Sequence, residues 1–554
     1  MVHGGAEVMT SKSKEDGTER LNNVNHHEVT FEGILEKIGS RGKFQIRLNL
    51  IYVGLSVLVC SVPSQMFVIS MMVPDHWCHV PGRASANASI EEWKSITIPR
   101  ENGTYSKCLM FTSLNHTNET VPCQYGWDYD ETWFSLTLPS QENWVCGKKM
   151  VVSHTMATVQ GLSVIVGLAL CYVGDRFGRR IQYFVSLILI ASCRSLSVPA
   201  TAIYSLFIVL SVIGTAADSS TTEATVSIGL ELSDVMFRST VNFMFSLMHS
   251  VGSILSPLTA WAAGDWRTFT LVSSLPCFLL VSCQSFLPES PRWLLNKGHT
   301  KKAFRVVSRI AETNEKPIPD DTLAMLNTIT KRRSAKMGVL SLVTNRSLFR
   351  NTLILIFGRC VCILTTSCIR FNVGNLGGNP FLAFIAQGVV DAPAHLAAHF
   401  LGNKFGRRFT EAFSLLTATF VSIVIIVAIT VSGQTWIVAC GVTLLKFFCV
   451  MSLFTNVLQS MEIHPTCIRQ IGSAVEWAFV AAVIGIAPYI VHLGTAVDSR
   501  CLYGVLGALL AAAAVITSFL PESLNEKLPE TLEDATNYGS SQKYWSLPSS
   551  STKS

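Results

Sequence analysis

Charge is scarce in this chain. Asp, Glu, Lys and Arg make up 14% of its 554 residues, whereas 49% are hydrophobic. A soluble domain carries charge at about a quarter of its positions, so a soluble globular protein is not expected. A glycine-rich P-loop is missing too, which disfavours an ATP-driven pump. No nucleophile–base set stands out, so neither an enzyme nor a cofactor is expected. Residues 1–43 are polar and lack the apolar core of a signal peptide. The apolar stretch starting near Ile46 is then expected to begin insertion uncleaved. The net charge of +6 is modest and does not indicate nucleic-acid binding.

What the chain does have is a series of long apolar stretches. Twelve spanning candidates fall at roughly 46–72, 150–173, 181–197, 200–225, 239–262, 268–286, 352–372, 380–401, 410–432, 435–458, 473–494 and 501–520. Each is near the length that crosses about 30 Å of hydrocarbon, so the lipid bilayer is the first partner. The fourth is the least apolar, because it contains "GTAADSSTTEATVS". Long loops interrupt the series at 73–149 and 287–351.

Two phrases recur at half-chain spacing. "GDRFGRR" at 174–180 returns as "GNKFGRR" at 402–408, and "LPES" at 287–290 returns at 520–523. Such a period implies two similar halves. The expected fold is an all-α membrane protein of twelve transmembrane helices in two six-helix halves. Its parts are an N-terminus at 1–45, a first half at 46–286, a linker at 287–351, a second half at 352–520 and a tail at 521–554.

Basic residues set the expected orientation. Residues 291–350 hold thirteen Lys and Arg against four acids, and both recurring turns are basic. These segments share one side, which makes that side and both termini cytoplasmic. The 73–149 loop is then outside. It carries sequons at Asn87, Asn102, Asn115 and Asn118, and cysteines Cys78, Cys108, Cys123 and Cys146. Glycosylation and two disulfides are expected there, and four cysteines allow three pairings. A sequon at Asn345 falls on the cytoplasmic side and should be unused.

In the recurring turns, Gly178 and Gly406 permit a tight reversal. Arg176, Arg179, Arg180, Arg407 and Arg408 hold the turns at the basic side and can bond helix carbonyls. Asp175 is placed to accept from an arginine or a helix N-terminus. Contacts of this kind can form in one state and break in another, which adds a gating role.

This set of turns resembles the loop signature of the major facilitator superfamily. The chain is closest in pattern to the organic ion transporter family within it, which carries organic cations, organic anions and carnitine-like zwitterions. The resemblance runs from "GKFQ" at 42–45 to "LPET" at 528–531. It includes the cysteine-rich first outside loop, "NWVC" at 143–146, "DWR" at 265–267, "LPESPRWLL" at 287–295, "DAPA" at 391–394 and "MEIHPTCIRQIG" at 461–472. It implies a plasma-membrane carrier of a small organic ion that works by alternating access, with a counter-transported ion as a further partner. Departures from the family pattern are Cys171 for a glycine, Ser211 for an arginine, Thr366 and Ser367 for a tyrosine pair, and uncharged Ala481.

Ionisable residues inside spans default to functional roles. The fourth span holds Asp218 and Glu223, the seventh Arg359 and Arg370, the tenth Lys446 beside Phe447 and Phe448, and the eleventh Glu476 beside Trp477. By resemblance these spans line or flank the central cavity. Arg359 and Arg370 are eleven residues apart, which returns to nearly one helix face. Such a stripe would attract anions, and Asp218 and Glu223 opposite would attract cations or pair with the arginines. The pattern leans toward an anionic or zwitterionic substrate. Aromatics such as Trp477 and Phe479 could stack on it or simply pack. In the eighth span, Asp391, His395 and His399 share one face; packing with one Asp–His bond is expected there, not a metal. Alternatives in view are an organic cation carrier, a sugar-porter-like carrier and a non-transporting receptor on a carrier fold.

Overall fold

Peptide groups in hydrocarbon have no water to bond, so an apolar run of membrane length becomes a helix. The computed structural model describes residues 31–542, apart from 40–41, 102, 114–115, 234–237, 283–286, 332–341, 343–344, 432–433, 466–467, 525, 527–528, 530–533, 536–537 and 540–541. All twelve expected segments are helical. The first runs Lys43–Ser70. Then come Met150–Phe177, Arg179–Ser197, Tyr204–Glu231, Arg238–Ala263 and Trp266–Ser282 in the first half. The second half has Arg346–Phe371, Pro380–Phe405, Arg407–Val431 and Thr435–Ile463, followed by Arg469–Ile484 continued by Ala487–Ala496, and Ser499–Thr517. Ten of the described helices are long and apolar enough to cross a membrane; Trp266–Ser282 is apolar but shorter.

The least apolar segment is an unbroken 28-residue helix. Some of its hydroxyls bond back to their own helix, Thr221 to the Ala217 carbonyl at 2.9 Å and Thr225 to that of Thr221 at 2.8 Å, while Ser220 accepts from Gln182 and Ser186 of the third helix. The first span is less regular. It passes through a π-helical stretch at Leu48–Gly54, carries Pro63 and re-forms at Met66 after Gln65.

The recurring phrases occupy matching places. One turn joins the second and third helices, its copy the eighth and ninth, and each "LPES" follows the last helix of its half. One buried cluster belongs to the first half; it also takes in Phe31, Ile34, Leu35 and Ile38 and the linker residues Leu294, Ala303, Val307 and Ile310. A second belongs wholly to the second half. A third joins the halves at the end nearest the 73–149 loop, through Met66, Phe134, Val152, Phe381 and Phe384. Here Phe381 stacks on Trp261 at 5.9 Å and meets Phe134 at 5.6 Å, while His154 lies 3.0 Å from the Tyr489 hydroxyl. The linker end differs: among the described residues, every ion pair stays within one half or its own flanking segments.

The 73–149 loop folds as three two-stranded antiparallel ribbons with a capped helix at Ile90–Thr97. Of the three pairings, the structure has Cys78–Cys123 and Cys108–Cys146. Asn87 is exposed on a left-handed residue. Asn102 and Asn115 lie outside the described residues, as does the side chain of Asn118.

Candidate functional site

The recurring turn and the recurring "LPES" form one device, built twice. Gly178 reverses the chain at φ +118°. The Glu289 carboxylate then accepts the backbone N–H groups of Arg179 at 3.0 Å and Arg180 at 3.4 Å, which open the third helix. In the copy, Gly406 turns at φ +99° and Glu522 accepts from the N–H groups of Arg407 at 2.8 Å and Arg408 at 3.2 Å. A carboxylate at a helix N-terminus satisfies orphan donors and opposes the dipole. Burial pushes the Glu289 carboxyl up from the usual range, against the pull of the bonded N–H groups. A Cβ on Gly178 would sit 2.1 Å from Glu289 Oε2, so glycine is required twice over. Arginines complete each unit. Arg179 pairs with Asp175 at 2.6 Å and approaches Glu231 at 3.9 Å; Arg407 pairs with Glu462 at 3.4 Å and donates to Asn403 at 3.0 Å. Arg408 donates to the Leu520 carbonyl, while exposed Arg176 donates to the Tyr172 hydroxyl.

Arg359 and Arg370 do not act as a pair. Arg359 is 1% exposed and meets Glu476 at 2.6 Å. Its partner is therefore Glu476, rather than Asp218 or Glu223 across the halves. It also donates to Asn456, which in turn donates to Glu411 at 3.0 Å. Ser460 donates to Glu476, and His464 lies 3.9 Å from it. This network joins the seventh, ninth, tenth and eleventh helices of one half. Arg370, by contrast, is half-buried and has no hydrogen-bond or ion-pair partner among the described residues.

Below Arg370 lies a second buried pair. Lys446 donates to Asp391 at 3.0 Å and to the Gln387 carbonyl at 2.6 Å. Arg370 and His249 both lie within electrostatic reach of Asp391. His249 belongs to the first half. One turn away, Gly388 packs so close to Ser253 and Ile254 that an added Cβ would fall 3.0–3.1 Å from them. The Asp391–His395–His399 stripe does not converge. His395 Nδ1 donates to the Asp391 backbone carbonyl at 2.6 Å, and His399 Nε2 lies 3.0 Å from the Asn403 amide. The one Asp–His bond of the stripe thus runs through the Asp391 backbone, while the Asp391 side chain takes the bond from Lys446.

In the first half Asp218 faces Arg194 at 3.8 Å, while exposed Glu223 accepts from the Cys171 thiol at 2.8 Å. Trp477 is exposed with the Arg359 guanidinium 5.9 Å from its ring, and half-buried Phe447 packs edge-on against Phe448. Sequence reasoning passed over Arg194, Glu411, Asn456 and His464. Arg194 and Glu411 were detectable as ionisable residues in or beside spans. The capping roles of Glu289 and Glu522 could have been read from their recurrence with the turn.

The family described as sugar (and other) transporter matches residues 103–534. Human "Solute carrier family 22 member 7" is 30% identical over 543 residues, covering 91% of this chain and 96% of the relative. This chain belongs to that transporter family. Within it, the solute carrier 22 relatives match nearly end to end. "Organic cation transporter 1" of Caenorhabditis elegans is 28% identical over 533 residues, covering 92% of this chain and 89% of its own length. Among solved structures, the xylose transporter XylE from E. coli in an inward-open conformation aligns with a TM-score of 0.59 at 16% identity, covering 89% of this chain and 99% of XylE. At that identity the likeness speaks for the major facilitator fold alone. The protein is a multi-pass membrane transporter and not an enzyme.

Proposed function

We propose that this transporter carries small organic ions across the plasma membrane by alternating access, and that it prefers anions or zwitterions. The observation behind the preference is Arg370. It is the half-buried cation of the seventh helix that has no partner among the described residues, whereas Lys446 and Arg359 are paired. Lys446 and Asp391 cancel, so Arg370 leaves the central group with a net positive charge. A carboxylate or sulfonate would complete it by the planar fork that arginine offers. Arg359 then serves to hold four helices of its half together, and Arg370 serves to receive substrate.

Alternating access fits the uneven contacts. At the loop end the halves share one buried cluster, while at the linker end the ion pairs among the described residues stay within each half or its flanking segments. Each capped turn would keep its half rigid as the halves rock. The linker and both termini would face the cytoplasm, with the disulfide-bearing loop outside and glycosylated at Asn87, Asn102, Asn115 and Asn118. A counter-transported ion would reset the empty carrier.

A second reading is a cation carrier. It is favoured by Glu223, a carboxylate exposed in the fourth helix, and by the name of the C. elegans relative. One screen separates the two: uptake of labelled permanent anions, permanent cations and zwitterions into cells expressing the chain. Saturable anion or zwitterion uptake supports the first reading, and cation uptake alone supports the second. Uptake of none would leave a receptor on a carrier fold.

A further inference from the structure

The linker helix Thr300–Thr313 has two unlike faces. Ala303, Val307 and Ile310 are each 0% exposed and share a buried cluster with Leu35 and Ile38 of the N-terminal helix. Away from that face stand Lys301, Lys302, Arg305 and Arg309, all exposed. Lys297, just before the helix, is exposed beside the Trp293 ring. The side chains of Lys301, Lys302, Arg305 and Arg309 have no hydrogen bond, ion pair or ring contact among the described residues. The helix holds one acid, Glu312, exposed in its last turn. Lys301, Arg305 and Arg309 recur every four residues, so like charges on successive turns repel. An opposing charge from outside the helix would relieve that repulsion.

The linker is pinned where spanning helices end. Before the basic helix, Trp293 Nε1 donates at 3.0 Å to the carbonyl of Asp175, near the end of the span that closes at Phe177. Arg292 Nε donates at 3.3 Å to the carbonyl of Glu231, the last residue of the fourth helix. After the basic helix, the Asn314 amide oxygen accepts the Phe44 N–H at 2.9 Å, and its nitrogen donates to the Gly39 carbonyl at 2.8 Å and to Gln45 at 3.1 Å. Lys43, which opens the first span, pairs with Glu315 at 2.7 Å. The 14-residue helix, about 21 Å long, is thus anchored at both ends to the rim of the spanning helices.

The second half has no equivalent. Residues 524–534, which follow its "LPES", hold four acids and one lysine. The basic face is therefore outside the frame that the two halves share.

We propose that this face binds the anionic phospholipid headgroups of the leaflet that the linker faces. An exposed cluster of Lys and Arg on an amphipathic helix beside a membrane has the charge such headgroups complement, and each basic residue contributes a factor of about five in binding. The attraction reaches about 8 Å at physiological salt, which is why anchoring at the span ends matters. That the leaflet is the cytoplasmic one rests on the orientation proposed above; the binding surface itself does not.

The test uses the purified full-length chain in neutral detergent. Short-chain phosphatidylserine should raise its melting temperature in a saturable way. Phosphatidylcholine and free phosphoserine should do so far less, and about 1 M salt, where screening acts within about 3 Å, should abolish the effect. Replacing Lys301, Lys302, Arg305 and Arg309 together by Gln should weaken the apparent phosphatidylserine affinity at least tenfold, with the melting temperature in the absence of lipid unchanged. Lys301→Gln/Arg305→Gln should weaken it severalfold, and serves if the fourfold variant does not accumulate. Lys148→Gln/Lys149→Gln, an equal charge change at the opposite end of the molecule, should leave it as it was. Equal stabilisation by phosphatidylcholine, or unchanged phosphatidylserine affinity in the linker variants, would overturn the proposal. So would binding of polyglutamate as tight as that of phosphatidylserine, which would mark a site for an acidic protein. An epitope placed in the 316–320 turn should be reached by antibody only in permeabilised cells. Labelling of intact cells would overturn the cytoplasmic orientation, while the detergent titration decides the surface.

Discussion

The two halves of this transporter share a frame and differ in charge. Both have a glycine turn, a following helix capped by a glutamate of "LPES", and an arginine that reaches a second glutamate. The inner charges do not repeat. The first half has Arg194 with Asp218, and Glu223 bonded by Cys171. The second has the buried Arg359–Glu476–Glu411–His464 cluster, the Lys446–Asp391 pair and Arg370, which has no ion-pair partner among the described residues. Rocking two halves needs two equivalent rigid bodies, so the device that stiffens a half is duplicated. A substrate is itself asymmetric, so the residues that meet it need not repeat.

The largest effects should come from what repeats. Gly178→Val and Gly406→Val place a β-branched residue at positive φ, and at Gly178 the new Cβ also meets the capping carboxylate. Each should remove most of the surface protein, measured by biotinylation, and by a similar amount in the two halves. A large difference between the two variants would break the equivalence.

Next is the sealed arginine. Arg359→Ala orphans Glu476, and breaking a buried pair costs about 3–5 kcal/mol. Surface expression should drop severalfold and recover in part in Arg359→Ala/Glu476→Gln, where that carboxylate is gone. If Arg359→Ala were well expressed and instead took up substrate poorly, Arg359 would be a binding residue after all.

The smallest effect concerns the one charge by which the turns themselves differ. Asp175 is 67% exposed at its side chain and pairs with Arg179, whereas Asn403 holds Arg407 without a charge. An exposed pair contributes about 0–1 kcal/mol. Asp175→Asn makes the first turn like the second. It should slow maximal uptake by about twofold to fivefold, which is about 0.4–1 kcal/mol on the barrier, with apparent affinity unchanged. Substitution of Asn403 by Ala should do less. Equal losses at both positions would remove the functional distinction between the turns.

The helical frame was legible because an apolar run of membrane length has one solution in lipid. Even the polar fourth span complied, since hydroxyls such as those of Thr221 and Thr225 bond within the helix and Ser220 bonds its neighbour. The pairing of charges was not legible. Eleven residues bring Arg359 and Arg370 to one helix face, but face alone does not say which helices pack there at each depth. Arg359 meets two neighbouring helices deep in its half, and Arg370 lies three turns further along. Glu411 was passed over because it follows a turn already assigned a role. The disulfide pairing needed three dimensions, because four cysteines in sequence permit every combination.

The central claim is that Arg370 reads the sign of the substrate. Its most direct test is the uptake of one permanent anion and one permanent cation by the wild type and by Arg370→Glu, each normalised to surface protein. The account predicts near-normal surface protein, because Arg370 supports no ion pair among the described residues. It predicts that the anion-to-cation uptake ratio falls by about tenfold or more, equivalent to about 1.4 kcal/mol of lost discrimination. An unchanged ratio at normal surface expression would contradict it.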